Sequence, residues 1–130
     1  MKKTKVLVPL DVSEMSMYPI NWIKKHFDKN DIEITLMNVS ERIVADDSGD
    51  FQKRSKLVLK EVSAKLEGYT VEKFLAVGYT PDEILKKAEE GNYDMIIMAK
   101  SSKTKLLRII GSVTNKVLKD AKIPVVILPQ

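Results

Sequence analysis

Residues 6–13 of the chain read Val6-Leu7-Val8-Pro9-Leu10-Asp11-Val12-Ser13. The three leading residues are apolar at consecutive positions, so a strand here would be covered on both faces, as in the interior of a parallel sheet. A carboxylate and a hydroxyl follow at once, where such a strand would pass into a helix. Because ligands of open parallel sheets bind beyond the carboxyl ends of the strands, this stretch places polar groups where a binding crevice is expected.

Four more segments of this kind follow, each separated from the last by a stretch of helical period. The predicted strands are residues 5–9, 33–39, 70–77, 94–99 and 124–128. Short β-branched segments that alternate with helices indicate repeated βαβ units, and therefore an α/β fold with helices on both faces of a parallel sheet. In the second strand, apolar Ile32 and Ile34 alternate with Glu33 and Thr35, which predicts one partly exposed face.

The intervening stretches predict four helices. The second covers residues 51–66, with an inner stripe that consists of Leu57, Val58, Val62 and Leu66. The third opens with Thr80-Pro81-Asp82-Glu83, which combines an N-cap threonine, a proline in the first turn and early acidic residues. The fourth is expected to begin near Gly111 and Ser112 and to run to Ala121.

The composition excludes several classes of function. The 130 residues fit one domain that spans residues 1–130. The chain has no cysteine and one histidine, His26, which excludes thiolate catalysis, disulfides and clustered Cys/His metal sites. No apolar run approaches the roughly 20 residues of a membrane span, and the apolar run after the basic start is too short for a signal peptide. We therefore expect a cytoplasmic protein.

The net charge of +4 is concentrated in one segment. Between Lys100 and Lys122 there are seven basic residues and one acidic residue, a local charge of +6, whereas the remaining chain carries −2. This segment has no aromatic residue and so lacks the stacking platform of single-strand nucleic-acid binders. The pattern favours a small anionic ligand over a nucleic acid, and a solvated basic face is the simpler alternative.

Residues that follow the predicted strands have the chemistry of a nucleotide site. Asp11 could accept ribose hydroxyls, and Lys100, Lys103 or Arg108 could face phosphate. The segment Gly111-Ser112-Val113-Thr114 would open a helix whose first backbone N–H groups can bind an anion. The alternative for Asp11 is a helix cap, because Asp is common in strand-to-helix turns.

Four segments in register resemble a universal stress protein domain. They are residues 6–14, residues 77–84 (Val-Gly-Tyr-Thr-Pro-Asp-Glu-Ile), residues 94–98, and residues 111–114 with residues 123–127. The resemblance runs the whole length of the chain. It implies a five-stranded parallel sheet in the order 3-2-1-4-5, and a homodimer through the last strand, Val125, Val126, Ile127 and Leu128.

The resemblance also implies a regulatory domain that binds ATP or another adenine nucleotide, with or without Mg²⁺, in the crevice at the strand ends. It assigns Asp11 to the ribose. Around adenine it places Pro9, Leu10, Val39 and Met98. Around the phosphates it places Ala99, Ser102, Lys103, Gly111, Ser112, Val113 and Thr114. No catalytic residue and no metal ligand is assigned.

The phosphate motif departs from the family pattern, which is Gly-x2-Gly-x9-Gly followed by Ser or Thr. Ala99 and Ser102 occupy the positions of the first two glycines of the pattern, and eight residues rather than nine separate Ser102 from Gly111. Glycine suits such loops because their N–H groups converge on phosphate through conformations that strain other residues. Lysine charge could replace this backbone geometry. Two alternatives therefore stay open, a dimeric interaction module that binds no nucleotide and a slow ATP hydrolase.

Overall fold

The computed structural model describes residues 2–11, 17–41, 50–100 and 111–129. Strands and helices alternate along them in the order β1 (Thr4–Pro9), α1 (Tyr18–His26), β2 (Ile32–Ser40), α2 (Asp50–Ala64), β3 (Thr70–Val77), α3 (Thr80–Glu90), β4 (Met95–Ala99), α4 (Ser112–Asp120) and β5 (Val125–Leu128). None of the helices in these ranges is long and apolar enough to cross a membrane.

The five strands form one parallel sheet in the order β3-β2-β1-β4-β5. The predicted fold class and strand order are confirmed, and the predicted strand bounds agree with the structure to within one residue at each end. The chain builds outward from β1 to β2 and β3, then returns to the other side of β1 for β4 and β5. This reversal places the topological switch point between β1 and β4, where a ligand crevice is expected.

Each face of the sheet is covered by a pair of helices. Val6 and Val8 of β1 face one side and pack with residues of α1 and α2, among them Ile20 and Leu59; we call this the α1–α2 layer. Leu7 faces the opposite side and packs with residues of α3 and α4, which form the α3–α4 layer. The three β1 residues are completely buried, as the run of consecutive apolar positions predicts.

The second strand is more deeply buried than its alternating sequence predicts. Thr35 is only 3% exposed, and its Oγ1 accepts a hydrogen bond of 2.6 Å from the hydroxyl of Tyr93. The prediction of a partly exposed face is therefore wrong at Thr35. The reason is that β2 lies inside the sheet and the layer that contains Tyr93 covers this side of the strand.

The predicted inner stripe of α2 is confirmed at Val58, Val62 and Leu66, which pack in the α1–α2 layer, but not at Leu57. Ser55, Leu59 and Val62 are buried, whereas Leu57 is 56% exposed. Spacings of three and four residues keep the buried side chains on one face, and Leu57 lies on the opposite side. The prediction that Leu57 belongs to the inner stripe is wrong.

Helix α3 begins as predicted but with a different cap. Tyr79 is the N-cap residue and makes no capping hydrogen bond with its side chain, and Pro81 lies in the first turn. The backbone N–H of Thr80, the predicted N-cap, donates instead to Oε1 of Glu41 at 3.2 Å. At the other end Gly91 caps the helix and Asn92 has a φ of 54°.

Candidate functional site

The carboxyl ends of β1, β2 and β4 lie together at one edge of the sheet. Pro9, the last residue of β1, pairs with Met37 of β2. On the other side of the switch point, Ala99 at the end of β4 pairs with Leu128 of β5. The backbone N–H of Lys100 continues this pairing, since it donates to the carbonyl of Leu128 at 2.8 Å. Pro9 and Ala99 are both half-buried.

Three of the predicted site residues come together in the α3–α4 layer. Met98, near the end of β4, is 6% exposed and belongs to the core of this layer, and Val39 and Val113 pack against that core. Val39 lies near the end of β2 and Val113 lies in the first turn of α4. All three lie on the α3–α4 side of the sheet, near the carboxyl ends of β2 and β4 and at the start of α4, and we call them the strand-end wall.

The N-terminus of α4 lies next to the strand-end wall, because Val113 belongs to its first turn. Gly111 is its N-cap residue and has no side chain that could cap the helix. The first helical hydrogen bond runs from the N–H of Asn115 to the carbonyl of Gly111, at 2.9 Å. The N–H groups of Ser112, Val113 and Thr114 therefore have no acceptor within the helix, and such groups at the positive end of a helix can bind an anion.

Leu10 and Asp11, the two residues that follow β1, have different surroundings. The side chain of Leu10 is 8% exposed and packs in the α1–α2 layer. The structure does not bring it to the strand-end wall. Asp11 is exposed and directly follows the last residue that β2 anchors, because the N–H of Leu10 donates to the carbonyl of Met37 at 2.7 Å.

The remaining members of the predicted site are unequally placed. Thr114 is 4% exposed, Gly111 is half-buried, and Ser112 is exposed. Ser102 and Lys103 lie outside the described residues. The phosphate end of the predicted site is therefore described only at Ala99 and where α4 begins.

Asn38 is a residue of this site that the sequence reasoning missed. Its Nδ2 donates to the carbonyl of Leu10 at 2.9 Å, and the side chain is only 4% exposed. A signal was present in the sequence, because Asn38 interrupts the row of alternate apolar residues Ile32, Ile34 and Leu36.

In the structure, three lysines of the predicted basic segment lie on α4 or just beyond its C-terminus. Lys116 forms a salt bridge of 3.3 Å with Asp120, and Lys122 lies 3.7 Å from Glu89 of α3. Lys119 lies in the last turn of α4, at the end opposite the candidate anion site. The charge of these three lysines lies along α4 and just beyond it, and Lys116 and Lys122 each have an acidic neighbour.

Acidic and histidine side chains do not gather into a metal site in the described part of the chain, where no group of three or more could hold an ion. Tyr93 has a perturbed hydroxyl, because burial raises its pKa above the usual 10.0. It lies two residues before the first residue of β4, so it is near the amino ends of the strands, opposite the candidate site. Its hydrogen bond to Thr35 gives it a structural role.

Known proteins resemble this chain over nearly its whole length. The model of the "Universal stress protein family" matches residues 3–129. Universal stress protein MJ0531 of Methanocaldococcus jannaschii is 31% identical over 138 residues, which cover 95% of this chain and 81% of that protein.

Solved structures share the whole fold. MJ0577 of the same organism has a TM-score of 0.83 at 28% identity, over 100% of this chain and 98% of that one. A universal stress protein in complex with cAMP has a TM-score of 0.76 at 17% identity, over 99% and 98% of the two chains. A family protein of Arabidopsis thaliana with AMP bound has a TM-score of 0.74 at 20% identity, over 98% and 92%.

Proposed function

Since the chain belongs to the universal stress protein family, we propose that it binds an adenine nucleotide at the carboxyl ends of β1, β2 and β4, and that it acts as a nucleotide-dependent regulatory domain. The observation that carries this proposal is that Val39, Met98 and Val113 pack in one hydrophobic cluster near the strand ends, and that Val113 lies in the first turn of α4, directly after the N-cap glycine and Ser112. An apolar wall next to backbone N–H donors suits a ligand with a flat base and a phosphate.

The proposed roles follow from the chemistry of each group. Adenine packs against Val39 and Met98, with Pro9 at the edge of the wall. The carboxylate of Asp11 accepts hydrogen bonds from ribose hydroxyls, because an ionised carboxylate is purely an acceptor. The phosphate binds the N–H groups of the first turn of α4, where Gly111 permits close approach. Mg²⁺, where present, is held by the phosphates.

We expect a nucleoside monophosphate to bind at least as tightly as ATP. Ala99 and Ser102 stand where the family pattern has two phosphate-binding glycines, and three lysines of the basic segment lie along or beyond α4. Both features weaken the binding of a triphosphate more than that of one phosphate at the helix N-terminus. Two proteins with the same fold have been solved with cAMP and with AMP, ligands that carry a single phosphate.

Thermal unfolding in the presence of nucleotides tests the proposal. AMP, ADP and ATP, each with and without Mg²⁺, are compared with GMP as the control for the base. A ligand at 100 times its Kd stabilises the fold by about 2.7 kcal/mol, so a clear rise in Tm is expected with AMP and a smaller rise with GMP. Absence of a shift with every adenine nucleotide at millimolar concentration would overturn the proposal.

A matched pair of variants separates the site from general effects of charge. Asp11→Ala should weaken AMP binding and so reduce the AMP-induced rise in Tm. Asp28→Ala removes another exposed carboxylate, which lies between α1 and β2, near the amino ends of the strands. This variant should retain the AMP-induced rise in Tm. Equal responses of the two variants would argue against the role of Asp11.

We further propose that the chain forms a homodimer through β5. This strand is one edge of the sheet, and its residues Val125, Val126 and Ile127 are only half-buried. An apolar edge strand with unpaired backbone groups favours pairing with a second copy. Leu128 of this strand accepts the N–H of Lys100, so the proposed interface lies next to the proposed nucleotide site.

A further inference from the structure

The β2 residues that face the α1–α2 layer are apolar except near the carboxyl end of the strand. Ile32, Ile34 and Leu36 are between 0% and 2% exposed and belong to the α1–α2 layer. The next residue on this face is Asn38, which is 4% exposed. Packing alone favours an apolar residue here, because buried polar groups reduce stability unless their hydrogen bonds are complete.

The amide of Asn38 makes one hydrogen bond and lacks another. Its Nδ2 donates to the carbonyl of Leu10 at 2.9 Å, whereas Oδ1 is buried and has no hydrogen-bond partner among the residues that the structure describes. A buried acceptor without a partner is a net cost to folding. Stability therefore does not account for this asparagine, and what distinguishes it is the atom that its Nδ2 binds.

The carbonyl oxygen of Leu10, which Nδ2 binds, influences the direction of the backbone at Asp11. The carbonyl of Leu10 and the N–H of Asp11 belong to the same peptide group, which is planar. The N–H of Leu10 is already bound to the carbonyl of Met37 at 2.7 Å. The second bond, from Asn38, therefore fixes the orientation of the peptide plane from which Asp11 continues.

We propose that Asn38 is a positioning residue for the nucleotide site, which holds Asp11 in register with the ribose without touching the ligand. This inference rests on the proposed function and identifies what fixes the geometry of that site. It predicts that Asn38 contributes to affinity and contributes little to the stability of the fold.

The test compares two buried polar residues of β2. Asn38→Leu removes the bond to Leu10 and the unpaired Oδ1 together, and should weaken AMP binding about tenfold or more, as a small misplacement can. Its Tm without ligand should stay within about 3 °C of wild type. Asn38→Ala, which avoids the larger side chain, should weaken binding to a similar extent.

Thr35→Val is the matched control. It leaves the buried Tyr93 hydroxyl without its partner, so it should lower Tm by several degrees and leave the AMP affinity unchanged. Isothermal titration calorimetry gives the affinities and thermal unfolding gives Tm. If wild type binds AMP and Asn38→Leu binds it equally well, the inference is wrong while the proposed function stands.

A double-mutant cycle with Asp11→Ala tests whether Asn38 acts through Asp11. In the Asp11→Ala background, Asn38→Leu should change the AMP affinity by less than about twofold, because coupled residues have non-additive effects. Multiplicative losses would contradict the inference. A readout without ligand is the NMR chemical shift of the Asp11 amide, whose N–H shares a peptide group with the carbonyl that Asn38 binds. It should change in Asn38→Leu, and an unchanged shift would also overturn the inference.

Discussion

At the scale of single residues, Tyr93 links the sheet to the chain that enters β4. Its hydroxyl donates to Thr35, and the ammonium group of Lys5 lies 4.8 Å from the centre of its ring. Burial raises the pKa of Tyr93, and the nearby charges of Glu72 and Glu33 raise it further, against the opposing effect of the hydrogen bond to Thr35. The folded state thus favours the neutral phenol.

This raised pKa predicts a loss of stability in alkali. The unfolded chain releases the Tyr93 proton near pH 10.0, while the folded state retains it. The contribution is therefore fully present below that pH and is lost as the pH rises through the folded-state pKa. Tyr93→Phe should remove this part of the alkaline fall in Tm, at a cost of about 1 kcal/mol at neutral pH.

Tyr79→Phe is the control for the alkaline profile, because Tyr79 is 58% exposed. It should reproduce the wild-type fall in Tm between pH 9 and about 11, a range that brackets the ordinary tyrosine pKa. Superimposable alkaline profiles for wild type and Tyr93→Phe would contradict the assignment.

At the scale of secondary-structure elements, α2 contains two leucines that differ in burial and should therefore differ in their contribution to stability. Leu59→Ala should lower the free energy of unfolding by about 2–5 kcal/mol, because Leu59 is 2% exposed. Leu57→Ala, on the same helix, should change it by less than about 0.5 kcal/mol, because Leu57 is 56% exposed. Urea unfolding measures both, and comparable losses would place Leu57 on an inward face.

The same elements show which features a sequence can predict. The strands were predictable because runs such as Val6-Leu7-Val8 combine β-branched residues with burial on both faces. The start of α3 was predictable to one residue from Pro81, yet its capping partner was not, since Glu41 lies 39 residues from Thr80 along the chain. The inward face of α2 was misjudged at Leu57 because three neighbouring apolar residues, 57–59, fit more than one stripe.

At the scale of the whole molecule, strand order and the resemblance together predicted a site at the carboxyl ends of the strands, and that site stays a prediction. Val39 and Met98 were predicted near adenine and Val113 near the phosphates, and all three pack in the α3–α4 layer. Asn38 was missed because its importance depends on a contact with Leu10, 28 residues away. The basic segment was judged from charge along the chain, whereas α4 carries three of its lysines along the helix and beyond its C-terminal end.

The proposed homodimer predicts that the two sheet edges respond differently to charge. Ile127→Lys on β5 should shift the protein toward monomer, because it places a charge in an apolar edge. Val77→Lys on β3, the other edge, should leave the mass unchanged, and Val77 is already 50% exposed. Sedimentation equilibrium measures the masses. A wild-type monomer, or equal effects of the two variants, would contradict the proposal.

The most direct test of the central proposal is an NMR titration with AMP that follows assigned methyl groups. Saturable shifts are predicted for Val39, Met98 and Val113, while Ile20 and Leu59 in the α1–α2 layer stay unchanged. Absence of shifts at millimolar AMP would contradict nucleotide binding. Shifts confined to the groove of about 220 Å³ between α3 and α4, which Leu85, Ala88 and Ile123 help to line, would contradict the proposed site.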